Sequence, residues 1–183
     1  MVLRSTAATG VLEDLQKLLK QELLKEWIAQ GHYMSGKIIE EAEFVTETVA
    51  NTLRMDLYMY GYGAIIETGT PASKIPYSGR SGSGGTSKYI QALIGYVEKR
   101  MNISDLKKAK SIAFAIAETQ KKEGMPTRGS FSYTTTGKRT GWIQEVFDRN
   151  EGLIAEFMFR YVNVIFETQF TNMVTKYQRK FKE

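Results

Sequence analysis

The sequence contains no cysteine. That absence excludes disulfides, thiolate metal sites and a cysteine nucleophile. Histidine occurs once, as His32, which argues against a histidine-based metal site or a serine–histidine triad within one chain. No run approaches the roughly 18 consecutive apolar residues of a membrane-spanning helix. The opening stretch "MVLRSTAATG" lacks the apolar core of a secretory signal. The expectation is a chain made and used in a reducing cytoplasm, or in a particle assembled there. Proline is scarce too, with only three residues, Pro71, Pro76 and Pro126. Interruptions of the chain therefore fall mostly to glycine.

What is present is an ordinary globular balance, 42% hydrophobic and 25% charged, over 183 residues. That length fits one domain, or one domain with an extension, and buries roughly 70% of the unfolded chain's surface. The net charge of +5 is unevenly spread. Residues 1–70 carry 6 cations and 10 acids, residues 71–140 carry 13 and 4, and residues 141–183 carry 6 and 6. A basic middle segment suits either nucleic acid or the acidic surface of a neighbouring copy. The second is preferred, because surface charge more often solvates or pairs than reads a ligand.

Periodicity places the elements. Leu12, Leu15, Leu19, Leu23 and Trp27 form a helical stripe between Val11 and Gln30, with Thr9 as a starting cap and Gly31 as the stop. Leu53, Met55, Leu57 and Met59 alternate with polar residues as a half-buried strand. The β-branched stretch "EFVTETVAN" pairs with it through a turn near Asn51-Thr52. Residues 61–87 read as irregular. Beyond them, Ile90, Leu93, Ile94, Val97 and Met101 share one helical face, and Thr86 or Ser87 opens that helix. A further helix is capped by Ser104, carries Leu106, Ala109, Ala113 and Ile116, and stops at Gly124 and Pro126. A short helix from Gly141 to Asp148 buries Trp142, Ile143 and Val146. Asn150 caps a long last helix with one row of Val162, Phe166, Phe170, Met173, Tyr177 and Phe181, and a second of Ile154, Met158, Tyr161 and Ile165. So wide an apolar surface either crosses a core or meets another chain. The predicted fold is α+β: a small antiparallel β-sheet flanked by helices, with a long C-terminal amphipathic helix. Residues 1–148 form the core domain, with flexible basic loops near 71–87 and 126–140, and residues 149–183 form a helical extension.

Candidate chemical motifs fall short. "SGRSGSGGTSK", Ser78 to Lys88, has Gly79 and Gly84 at the spacing of a phosphate-gripping loop, but Gly85 and Thr86 follow where a lysine and a hydroxyl residue are needed, so the lysine is missing and Lys88 comes late. "GHYMSGKI" comes closer, yet Ile38 replaces the magnesium-binding hydroxyl after Lys37, and a helix rather than a strand precedes it. Glu40, Glu41, Glu43 and Glu47 form one solvated run with no carboxylate isolated in an apolar setting. Glu67, within an apolar stretch, reads as an acceptor of backbone hydrogen bonds. His32 reads as a capping or surface residue. Cations interleave with aromatics at Lys74, Tyr77, Arg80, Lys88 and Tyr89, and again at Arg128, Phe131, Tyr133, Lys138 and Arg139. Such mixtures suit base stacking and protein interfaces alike.

Four short segments, in their order, resemble the tail-component family of tailed bacteriophages, which acts in head–tail joining or tail completion. They are "GHYMSGKIIEEAEF", with Gly36; "YGYGAIIETGTPASKIPY", with Glu67, Gly69 and Thr70; "KAKSIAFAIAETQKKEGMPTRGS", with Pro126; and "GKRTGWIQEVFD". The likeness covers residues 10–160. It implies a virion protein without catalysis, cofactor or metal, working in the neck or tail after assembly in the host cytoplasm. Its partners would be its own copies in a ring of about six or twelve, portal, adaptor and tail proteins, and DNA passing without sequence-specific contact, with no membrane. Lys74, Tyr77, Arg80, Lys88, Arg128, Lys138, Arg139, Phe166, Phe170 and Tyr177 would then supply contacts to neighbouring subunits or rings. The alternative is a DNA-binding module built on residues 71–140.

Overall fold

The computed structural model describes residues 6–32, 37–49, 52–79 and 86–180. The fold is α+β, mostly helical, with one antiparallel hairpin. The first helix, α1 (Thr6–Ala29), buries Ala8, Leu12, Leu15, Leu19, Leu23 and Trp27. That is the stripe its spacing predicts. Thr9 lies inside this helix and not at its start. A single turn, α2 (Lys37–Glu40), buries Ile38 and Ile39 and leads into the hairpin. Strands β1 (Glu43–Val49) and β2 (Thr52–Tyr58) pair from Glu43↔Tyr58 to Val49↔Thr52. Leu53, Met55 and Leu57 are half-buried, as the alternation requires.

Residues 61–68, expected to be irregular, form helix α3 (Gly61–Thr68). The two glycines that suggested a turn are helical, and Gly63 is buried where any side chain would strike the Met59 sulfur. A 3₁₀ turn at Ala72–Lys74 follows. Helix α4 (Lys88–Met101) starts at Ser87, whose hydroxyl accepts from the Ile90 amide at 3.3 Å, and ends at left-handed Asn102. Helix α5 (Leu106–Glu123) is capped by Asp105 and not by Ser104. The Asp105 carboxylate accepts from the amides of Lys107 and Lys108 at 2.9 and 3.3 Å. A carboxylate here also meets the positive end of the helix dipole. The two helices pack closely because Ala109, Ala113 and Ala117, one turn apart, leave room for Ile90 and Val97. A 3₁₀ turn at Arg128–Tyr133 precedes α6 (Trp142–Arg149), which buries Trp142 and Val146.

Helix α7 (Glu151–Lys180) follows after one residue. Asn150 holds the cap position of α7, its carbonyl accepting from the Ile154 amide at 2.8 Å, but its side-chain amide turns back to α6 and donates to the Val146 carbonyl at 2.7 Å. The chain divides into two compact units, Met1–Leu23 with Gln144–Glu183, and Leu24–Ile143. The first 23 residues group with the C-terminal part.

Candidate functional site

Within the unit of residues 24–143, segments far apart in sequence converge around the end of α1. The helix closes in a Schellman motif. The Gly31 amide donates to the Ile28 carbonyl at 2.8 Å, the His32 amide to the Trp27 carbonyl at 3.0 Å, and Gly31 takes φ 71°. The stretch after the 128–133 turn serves the carbonyls left over at the helix end. Thr135 donates its amide to Ala29 at 2.9 Å, Thr134 its hydroxyl to the same carbonyl at 3.2 Å, and Arg139 its Nη1 to Gln30 at 2.5 Å. This fastens much of the 126–140 segment to α1.

Segments around Glu67, Thr70, Met125 and Trp142 lock together nearby. Thr70 and Met125 exchange both backbone hydrogen bonds, each at 2.7 Å. Gly69 and Gly124 allow this close pass, since a Cβ on either would lie 2.7 Å or less from the opposing carbonyl. Pro126, after a cis peptide, follows directly. The Glu67 carboxylate accepts from the Ile143 amide at 2.7 Å, and its carbonyl accepts from the Gly141 amide at 2.8 Å. Glu67 therefore caps α6 from a distance, a structural role of the expected kind. Trp142 packs edge-on against Trp27 at 4.8 Å and donates its indole N–H to the Gly63 carbonyl at 3.4 Å.

This junction walls a cavity of about 670 Å³. Trp27, Ile65, Ile66, Leu93, Ile116 and Met125 give it an apolar side. Tyr62, Tyr89, Tyr96 and Tyr133 add aromatic rings, while His32, Arg100 and Arg139 bring the polar character. Burial, then the Arg139 charge, holds the His32 pKa down to about 4. Its ring is therefore neutral at pH 7, packed on Trp27 at 4.9 Å. Burial also lowers the Arg139 pKa; the Arg100 charge pushes the same way and Tyr96 opposes. Among the described residues, nothing accepts a hydrogen bond from the buried Arg139 Nε.

The expected contact residues divide. Lys74, Lys88, Arg128 and Lys138 are exposed, as are Phe166, Phe170 and Tyr177 on α7. Tyr77 is not available to a neighbour: it is buried against Ile75, Ile90 and Ala117, with its hydroxyl donating to Glu118 at 3.2 Å. Arg139 is likewise turned inward, onto the end of α1. Gly36 and Arg80 lie outside the described residues. The sequence reading missed Trp27, Tyr62, Tyr96 and Arg100 as one site, because they come from three helices. The available signal was tyrosine recurring within otherwise apolar helical faces. Among the described residues, no three histidine or carboxylate side chains group as metal ligands, and no helix is long and apolar enough to cross a membrane. In comparisons with known proteins, no family model matches the chain, and no curated protein or solved structure matches it significantly.

Proposed function

We propose that the chain is a structural protein of a tailed-phage particle, a subunit that packs against its own copies to form a ring in the neck or tail, joining portal and tail around the DNA channel. The observation that carries this reading is helix α7. Leu153, Ile154, Phe157, Met158, Tyr161 and Ile165 are half-buried. Nearly opposite, at about 100° per residue, Phe159, Val162, Phe166, Phe170, Met173 and Tyr177 are exposed, each by 48% or more. A helix that serves one chain alone needs a single apolar face. Two faces call for a second chain.

The outward row also has a repeat. Phe159 and Phe170, Val162 and Met173, and Phe166 and Tyr177 are each separated by eleven positions. An 11-residue period keeps helices in contact with little or slightly right-handed supercoiling. Copies of α7 are thus suited to lie side by side. The acidic first segment and basic middle segment supply complementary faces for a head-to-tail ring. The convergence of the family-like segments on one junction gives their joint occurrence a physical reason.

Gold-labelled antibody against the chain, applied to phage particles, tests the proposal. Label at the neck or tail is expected. Mature particles shown by mass spectrometry to lack the chain contradict it. The DNA-binding alternative draws on the exposure of Lys107, Lys108 and Lys110 on α5. It predicts binding that weakens steeply with salt and disappears when all three are changed to Glu. Absence of any duplex-DNA shift at low salt ends it.

A further inference from the structure

We infer that the cavity at the end of α1 is a binding site for a hydrophobic anion, a small molecule with an aromatic or aliphatic body and a single carboxylate-like charge. The inference does not depend on how copies assemble. At about 670 Å³ the cavity falls within the usual range of small-molecule sites. Its walls pair a broad apolar and aromatic surface with a few convergent polar groups. That division suits a ligand whose body is greasy and whose one end is charged.

The sign of that charge follows from the lining. Among the described residues, Arg100 and Arg139 both border the cavity, and no aspartate or glutamate does. Arg139 spends Nη1 on the Gln30 carbonyl, and its buried Nε has no acceptor among the described residues. A carboxylate in the cavity would lie beside these two cationic side chains, where charge-assisted hydrogen bonds are strong. Such an anion also offsets the repulsion between the two guanidinium groups and the opposition to a charge on His32. At the wall the Tyr89 hydroxyl donates to the Gln120 side-chain oxygen, so this neutral pair adds no charge to the cavity.

The test uses the full chain with two fluorescent probes of similar shape: anionic 8-anilinonaphthalene-1-sulfonate and neutral N-phenyl-1-naphthylamine. Saturable binding of the anilinonaphthalene sulfonate is expected. Arg139→Gln should weaken it about tenfold or more while changing affinity for the neutral probe far less. Ala92→Trp, placed on an exposed position of α4 at the cavity wall, should fill the space and abolish both. Should Arg139→Gln fail to fold, Arg100→Gln gives the same comparison. The lone histidine supplies a second readout, since His32 observed by NMR should titrate at higher pH when the anion is bound. Anion binding that survives Ala92→Trp, equal losses for both probes in the arginine variants, or a His32 titration unmoved by the anion overturns the inference.

Discussion

Gly31 carries two constraints at once. Its φ of 71° suits glycine, and a Cβ there would lie 2.2 Å from the Tyr133 carbonyl oxygen. Gly31→Ala is expected to cost more than about 2 kcal/mol, from left-handed strain plus the clash with backbone, read as a lowered denaturation midpoint. His32 gives a pH signature. Its folded pKa of about 4 lies below the ordinary 6.5, so the unfolded chain takes the proton more readily. Stability is therefore full above pH 6.5 and declines as pH falls towards 4. His32→Gln should flatten denaturation midpoints across that window, and an unchanged slope would refute the assignment. At this scale the sequence was partly legible. Gly31 as a stop and Ser87 as a cap follow from local chemistry. The partner of Glu67 does not, because Ile143 stands 76 positions away. The inward turn of Arg139 was hidden for the same reason: nothing local distinguishes a cation that serves a distant helix end from one that meets solvent.

Elements were legible where burial was one-sided. The stripes of α1 and α4 and the alternation of β2 have a periodicity that packing then used. Helix α3 was illegible because glycine signals a turn unless its missing side chain is what the packing needs, as at Gly63 against Met59 and Ile38. The start of α5 shows the limit of capping rules, since Ser104 and Asp105 are both good caps and adjacent. The geometry selects Asp105, so Asp105→Ala should destabilise by about 1 kcal/mol while Ser104→Ala stays within a few tenths. Equal effects of the two in chemical denaturation would put the cap elsewhere. The expected row on α7 was found from Val162 to Tyr177, Phe181 lying outside the described residues, yet the half-buried face is the second row. A helix with two apolar rows offers sequence reading no means of choosing which one the chain covers itself.

At the scale of the molecule, the two compact units carry different roles in the proposal. Residues 24–143 hold the junction and its cavity; the unit formed by the termini holds the outward face of α7. Charge composition pointed to a self-complementary surface but not to its location. The proposal places the contact between copies at the stacked pair Phe166 and Phe170, 6.3 Å apart near the middle of the exposed row. Phe166→Glu with Phe170→Glu puts two carboxylates where each copy would meet the next, and removes no side chain buried in the chain itself. Sedimentation velocity of the full-length protein over a range of concentrations is the most direct measurement. The wild-type chain should self-associate, and the double variant should remain a monomer with unchanged circular dichroism. Identical sedimentation of both at every concentration would contradict a role for α7 in joining copies.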